Sequence, residues 1–247
     1  MKLPEKEKAA YRAAFRAMSP AKKAEHILSY YKWPILLGLI VLLILGSALH
    51  RALTEKQPVL YLAFANVTVG SELEEALTAG YLDAIGADAR RQEVYLYRDL
   101  YLSQDADEMN HEYAYASQMK AMGAIQAQKM DLVLMNREVY DLFSRKGYLA
   151  PLPALLEGGD PALAQRLTPL LTENEVVLSD NTIDFLLGEA EEEQQVTQSV
   201  INALSVSSLP LFQSAGFDGE IYIGVFANTP RSDACLAYLS YLCPEAG

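Results

Sequence analysis

Three apolar segments of the sequence each stop at an asparagine: Asn66, Asn136 and Asn228. An asparagine side chain both donates and accepts hydrogen bonds, so it suits a neutral polar ligand. Asparagine also favours turns and helix caps for local reasons, and any one of the three is well explained as a cap. Their coincidence at three strand ends leads to the hypothesis of a shared binding edge.

Four further residues accompany these asparagines, either beside them in the sequence or at the end of another predicted strand: Thr68, Arg98, Arg137 and Thr229. Arg137 begins a predicted helix, where both its charge and the helix dipole favour an anionic group such as a carboxylate or phosphate. We therefore predict that these four residues and the three asparagines bind a small polar solute.

The sequence offers little for catalysis. His111 is the only histidine after residue 50, and no GxSxG motif is present. The only cysteines, Cys235 and Cys243, lie eight residues apart in a predicted helix, about 12 Å by helix rise, which is too far for a disulfide. We predict that the protein is not an enzyme and that it uses no cofactor.

An acidic run over residues 105–112 could bind a hard cation. It lacks the glycine and the ligand spacing of a calcium loop. Acidic side chains are favoured at the start of a helix, and a solvated helix start explains the run better. We predict no metal site.

The elements that position these residues alternate between strand and helix. The predicted strands cover 59–66, 93–100, 131–136 and 220–228, and the predicted helices cover 71–86, 109–129, 137–147, 160–171 and 229–243. Two stretches between them, 174–181 and 195–207, read as extended. This order predicts an α/β fold with a mostly parallel sheet and helices on both faces. Its strands would end at one common edge, where ligands bind in such sheets.

Charge divides the chain into two parts. Residues 1–32 hold eight Lys/Arg and three Asp/Glu (net +5), whereas the whole chain has a net charge of −12. The acidic remainder argues against nucleic acid as a partner, because phosphate binding needs a basic face. Alanine-rich residues 4–18 predict a short amphipathic helix, and Ser19-Pro20 predicts the start of a second helix.

An uncharged run over residues 33–50 follows the basic segment. Eighteen such residues predict a single transmembrane helix in contact with membrane lipid, and the positive-inside rule places the N-terminus in the cytoplasm. The predicted organisation is a cytoplasmic basic segment (1–32), a membrane span (33–50), a linker (51–58) and an extracytoplasmic α/β domain (59–247).

Two stretches resemble type 2 periplasmic (extracellular) solute-binding proteins. DLVLMNREVYDLFSRKGYLAPL (131–152) is similar to the place where an apolar strand ends in a polar residue, a helix follows and a "GYLxPL" segment closes it. IYIGVFANTPRSDACLAYLSYL (221–242) resembles the segment where the chain returns to the first lobe. Such proteins bind small solutes between two α/β lobes and deliver them to membrane importers. The resemblance implies a reduced, membrane-tethered relative with one lobe.

The sequence therefore predicts a membrane-anchored, solute-binding-like module that is accessory to a transporter or sensor. The alternative is a non-enzymatic structural or interaction protein that docks on a membrane complex.

Overall fold

A computed structural model describes residues 16–17, 19–103, 111–157, 159–180 and 194–244. The chain forms two compact units, residues 1–55 and 56–247. The amphipathic helix predicted over 4–18 falls almost entirely outside the described residues, as does most of the acidic run 105–112.

The first unit contains one long helix, α1 (Pro20–Thr54). It begins at the proline of the Ser19-Pro20 pair, as the sequence predicts. It also continues through the first half of the predicted linker 51–58, which is helical as far as Thr54. The described side chains from Trp33 to Ser47 are all exposed.

In the part of the chain that the structure describes, no helix is long and apolar enough to cross a membrane. The uncharged run of eighteen residues rises about 27 Å as an α-helix, at the short limit for the ~30 Å of hydrocarbon in a bilayer. This finding contradicts the transmembrane helix predicted over 33–50. It also contradicts the single-pass topology and the extracytoplasmic location that depended on that helix.

The second unit follows the predicted alternation of strands and helices. Its strands are β1 (Gln57–Ala65), β2 (Gln92–Leu100), β3 (Leu132–Met135), β4 (Leu171–Asp180), β5 (Gln195–Ser205) and β6 (Tyr222–Val225). Its α-helices are α2 (Ser71–Glu75), α3 (Tyr81–Ala84), α4 (His111–Gln126), α5 (Arg137–Arg145), α6 (Leu152–Glu157), α7 (Pro161–Leu167), α8 (Pro210–Gln213) and α9 (Ser232–Leu242). A π-helical turn, Ala76–Gly80, joins α2 to α3.

The strands form one six-stranded sheet in the order β2-β1-β3-β6-β5-β4. Only two pairs, β1–β2 and β1–β3, are parallel, whereas β3–β6, β6–β5 and β5–β4 are antiparallel. The prediction of a mostly parallel sheet is therefore wrong. The connection from β5 to β6 contains only the four-residue helix α8, and it turns back along the sheet instead of crossing over it.

Two apolar layers cover the faces of the sheet. One layer packs residues of β1, β3 and β6 such as Leu62, Leu134 and Ile223 against the helices that include α2, α3 and α9. The other packs the alternate residues, such as Val133, against α4 and α5. All four residues of β3 are buried, because helices lie on both faces of this central strand.

Candidate functional site

The first three strands end side by side at one edge of the sheet. In the ladder Ala65 is the partner of both Leu100 and Met135, so Asn66 and Asn136 each come one residue after paired positions. Strand β1 is followed by β2 on one side and then by β3 on the other, so the direction of strand order reverses between β1 and β3. In open α/β sheets ligands bind at such a switch point, outside the carboxyl ends of the strands.

A cavity of about 410 Å³ lies at this edge, and we call it the switch-point pocket. Its lining comes from the loop after β1, the end of β2 and the starts of α4 and α5: Asn66, Val67, Thr68, Asp99, Leu100, Tyr101, Tyr113, Asn136 and Glu138. The volume falls within the range of small-molecule sites. Three of the seven predicted site residues, Asn66, Thr68 and Asn136, line this pocket.

The two pocket asparagines differ in how their side chains are used. The amide of Asn66 donates to the carbonyl of Leu102 and accepts from its N–H, both at 2.7 Å. The Oδ1 of Asn136 accepts from the backbone N–H of Val139 at 3.1 Å, which makes Asn136 the N-cap of α5. The amide NH₂ of Asn136 donates to no other described residue. It is therefore available to a ligand.

The pocket backbone is unusual in two places. Asn66 and Asp99 have φ angles of 53° and 56°, in the left-handed region that residues other than glycine seldom adopt. Asp99 lies where β2 departs from regular register with β1. Such conformations cost stability and concentrate at binding and catalytic sites.

Arg98 lies next to Asp99, but an ion pair holds it outside the pocket lining. Its Nε donates to Glu74 of α2 at 2.9 Å, and a second nitrogen lies 2.5 Å from the other carboxylate oxygen. The hydrogen bond to Arg98 lowers the pKa of Glu74. The same bond raises the pKa of Arg98, with a smaller contribution from the charge of Asp99. Arg98 therefore lies in an ion pair beside the pocket, and its role in binding stays a prediction.

Arg137 points away from the switch-point pocket. Its Nε donates to Asp141 at 2.9 Å, and its guanidinium lies 5.9 Å from the ring centroid of Tyr222 in β6. It lines a different cavity of about 460 Å³ between α5 and the β4–β5 pair. There Asp141 also accepts from Asn174 at 2.7 Å, so these polar groups satisfy one another. Arg137 therefore does not line the pocket beside Asn136, and an anion site at this residue stays a prediction.

Asn228 and Thr229 lie at the opposite end of the sheet, because β6 runs antiparallel to β3. The amide of Asn228 donates to the carbonyl of Ile125, at the end of α4, at 2.6 Å. The expectation that three asparagines share one edge is therefore wrong for Asn228. Its antiparallel strand carries it away from the other two.

At this opposite end several donors form hydrogen bonds to one buried carboxylate, that of Asp131. We call the cluster of Asp131, Thr229, Arg231 and Tyr61 the closed end. Asp131 is fully buried and accepts from the Tyr61 N–H, the Thr229 hydroxyl and the Arg231 Nε, at 2.8, 2.5 and 2.8 Å. Arg231 also donates to the carbonyl of Gln128 and lies 4.6 Å from the Tyr61 ring centroid. Thr229 thus donates a hydrogen bond to Asp131. It does not begin the helix that follows, because α9 begins at Ser232.

Sequence reasoning missed most of the pocket lining. Asp99 follows from the same rule that identified Asn66, because it stands at the end of a strand parallel to β1. Glu138 stands one residue after Arg137, and only the orientation of α5 decides which of the two faces the pocket. Tyr113 comes from a helix whose start the sequence does not place against any particular strand.

No constellation for covalent or metal chemistry appears among the described residues. They contain no cluster of three or more His, Cys, Asp and Glu that could hold a metal ion. Both cysteines are free and buried, and desolvation raises the pKa of Cys235 to about 12. A thiol with that pKa is a poor nucleophile near neutral pH.

No protein-family model, curated protein or solved structure matches this chain. Nothing in these comparisons links it to solute-binding proteins, so that resemblance stays a prediction.

Proposed function

We propose that the second unit is a non-catalytic binding module that takes a small polar solute in the switch-point pocket. The observation that carries this proposal is the position of the pocket, at the ends of β1, β2 and β3 where strand order reverses. Its lining includes the Asn136 amide, whose NH₂ has no hydrogen-bond acceptor among the described residues. Asn66 lines the pocket beside it, with a left-handed backbone conformation and hydrogen bonds at both polar atoms of its side chain.

The order of strands in the sheet agrees with the resemblance to solute-binding proteins, and this agreement supports the proposal. The segment that resembles the return to the first lobe contains β6, and β6 lies beside β3 in the same sheet. A single lobe offers one wall of a solute site, which fits an open pocket.

The test is a thermal-unfolding screen of the full chain against amino acids, amines, sugars and short peptides. A ligand at 100 times its Kd stabilises by about 2.7 kcal/mol, a shift of several degrees. Asn136→Ser separates binding from folding, since serine caps a helix about as well as asparagine but withdraws the amide NH₂.

Asn228→Ala is the matched control, because it removes an asparagine at the far end of the sheet. We expect Asn136→Ser to reduce the ligand-induced shift and Asn228→Ala to preserve it. A screen in which no compound raises the unfolding temperature would reject the proposal, as would a ligand that stabilises both variants like the parent chain.

A second candidate function is protein interaction through the β4–β5 ribbon. Of the eleven residues of β5, only Leu204 and Ser205 pair with β6, so the rest of the ribbon extends past the main sheet. Leu178 and Val196 are 60% and 50% exposed on it, and β4 is the edge strand. Exposed apolar side chains on an edge strand favour association with another chain. Loss of complex formation in a Leu178→Lys, Val196→Lys double variant, with solute binding absent, would favour this function.

A further inference from the structure

The described lining of the switch-point pocket carries negative charge and no positive charge. Its residues include Asp99 and Glu138, with their carboxylates, but no Lys, Arg or His among those that the structure describes. Neither carboxylate forms an ion pair with another described residue, and the nearby guanidinium of Arg98 is engaged by Glu74 at two nitrogens. The electrostatics of this pocket therefore oppose an anion and favour a cation.

Two aromatic rings stand beside these carboxylates. The ring centroids of Tyr101 and Tyr113 are 6.3 Å apart, with 30° between the ring planes. The Tyr113 hydroxyl donates to the backbone carbonyl of Asp99 at 2.7 Å, which holds this ring next to the acidic residue. Aromatic faces attract organic cations, and ammonium ligands are recognised by such rings together with carboxylates.

We propose that the switch-point pocket binds a small organic cation, a primary or quaternary ammonium compound. Its charge lies near Asp99 and Glu138, its carbon atoms contact Tyr101 and Tyr113, and an oxygen of the ligand accepts from the Asn136 amide. This inference rests on the proposed function and adds the class of ligand. Two carboxylates supply few of the six to eight oxygens that a calcium ion takes, so the aromatic rings favour the organic cation.

The test compares matched pairs of probes that differ in charge but hardly in shape. Choline is paired with 3,3-dimethyl-1-butanol, and 4-amino-1-butanol with 1,4-butanediol. Each is titrated into the full chain by calorimetry at low ionic strength. One charged group at contact distance near a protein surface is worth 1 kcal/mol or more, so we expect at least one cation to bind about tenfold or more tightly than its neutral partner.

Three variants then locate the site. The Asn66 amide also donates to the Glu138 carboxylate at 3.4 Å. Glu138→Gln keeps the size of the side chain and an oxygen that can accept this bond but removes the charge, and it should weaken cation binding by about tenfold. Asn136→Asp keeps the helix cap and adds a carboxylate, so it should strengthen cation binding and weaken that of any neutral solute. Asp83→Asn changes an exposed acidic residue of α3 outside the pocket lining and should leave affinity unchanged.

The outcomes separate this inference from the proposed function. Neutral probes that bind as tightly as the cations would overturn the ligand class and leave solute binding standing, and so would a calcium ion that binds in their place. The same holds if neither cation binds at millimolar concentration while a neutral compound from the thermal screen does. If no compound of either kind binds, both proposals fail.

Discussion

The two ends of the central strands are built in opposite ways. At the closed end the polar groups around a fully buried carboxylate hold one another, and Asp131 alone receives three hydrogen bonds. At the other end the switch-point pocket presents two carboxylates without ion pairs and an amide NH₂ without an acceptor among the described residues, and only Glu138 accepts one long hydrogen bond, from Asn66 at 3.4 Å. Polar groups at one end of the strands can remain without partners when hydrogen bonds at the opposite end hold the strands in place. The contrast distinguishes the polar residues that stabilise the fold from those that we propose bind a ligand.

The largest expected effect is on the closed end. Asp131→Ala leaves the Arg231 guanidinium, the Thr229 hydroxyl and the Tyr61 N–H without their acceptor. Breaking a buried pair by removing one partner costs about 3–5 kcal/mol, and the partial exposure of Arg231 favours the lower figure. Urea unfolding measures the loss. The exposed Asp83, near the C-terminal end of α3, is the control, and Asp83→Ala should change stability by less than about 0.5 kcal/mol.

A loss below about 1 kcal/mol for Asp131→Ala would mean that the closed end does not fix the strands.

Asn228→Ala tests the same end with a smaller change. It removes the hydrogen bond to the Ile125 carbonyl, and because Asn228 is exposed we expect a loss of about 0.5–1 kcal/mol in the free energy of unfolding. Its effect on ligand affinity should be absent, as measured by calorimetry with the best compound of the screen. If Asn228→Ala weakened ligand binding without lowering the free energy of unfolding, Asn228 would belong to the binding site.

The strand pattern could be read from the sequence, but strand direction could not. Apolar runs and the capping asparagine locate β3 and the start of α5 to within a residue. An apolar run carries no information on whether its strand is parallel or antiparallel, and the helix after β6 resembled another crossover unit. The wrong direction of β6 alone moved Asn228 and Thr229 to the other end of the sheet.

The sequence also does not show in which direction each side chain points at the start of a helix. Arg137 and Glu138 are neighbours on α5, so their side chains diverge by about 100° around the helix axis. Only the packing of α5 against β3, β4 and β6 decides that Arg137 meets Asp141 and that Glu138 lines the pocket. The predicted anionic ligand therefore gave way to a proposed cationic one.

Glu74→Gln changes the ion pair at the rim of the pocket. The Glu74–Arg98 pair is partly exposed, with side-chain exposures of 27% and 56%, so its loss should cost less than about 1 kcal/mol in stability. The pKa of Glu74 is lowered in the folded chain, so the contribution of the pair is present above the unfolded pKa and is lost as the pH falls through the folded pKa.

Arg98, once released, can approach Asp99 and neutralise it. We therefore expect Glu74→Gln to weaken choline or 4-amino-1-butanol binding although stability hardly changes. Calorimetry at neutral pH measures this, with Asp83→Asn as the control. Unchanged affinity in the Glu74 variant would show that Arg98 does not control the charge of the pocket.

The smallest stability effect is expected for Asn136→Ser, because the helix cap is preserved. The change in unfolding free energy should stay below about 0.5 kcal/mol. A larger loss would mean that the Asn136 amide supports the fold, and this end would then resemble the closed end.

Whether the switch-point pocket is the binding site can be seen in a crystal structure of the full chain with the tightest-binding compound. We expect that compound in contact with Asn136 and Glu138, at the carboxyl ends of β1 and β3. A compound bound instead at Asp131 and Arg231, or on the β4–β5 ribbon, would contradict it.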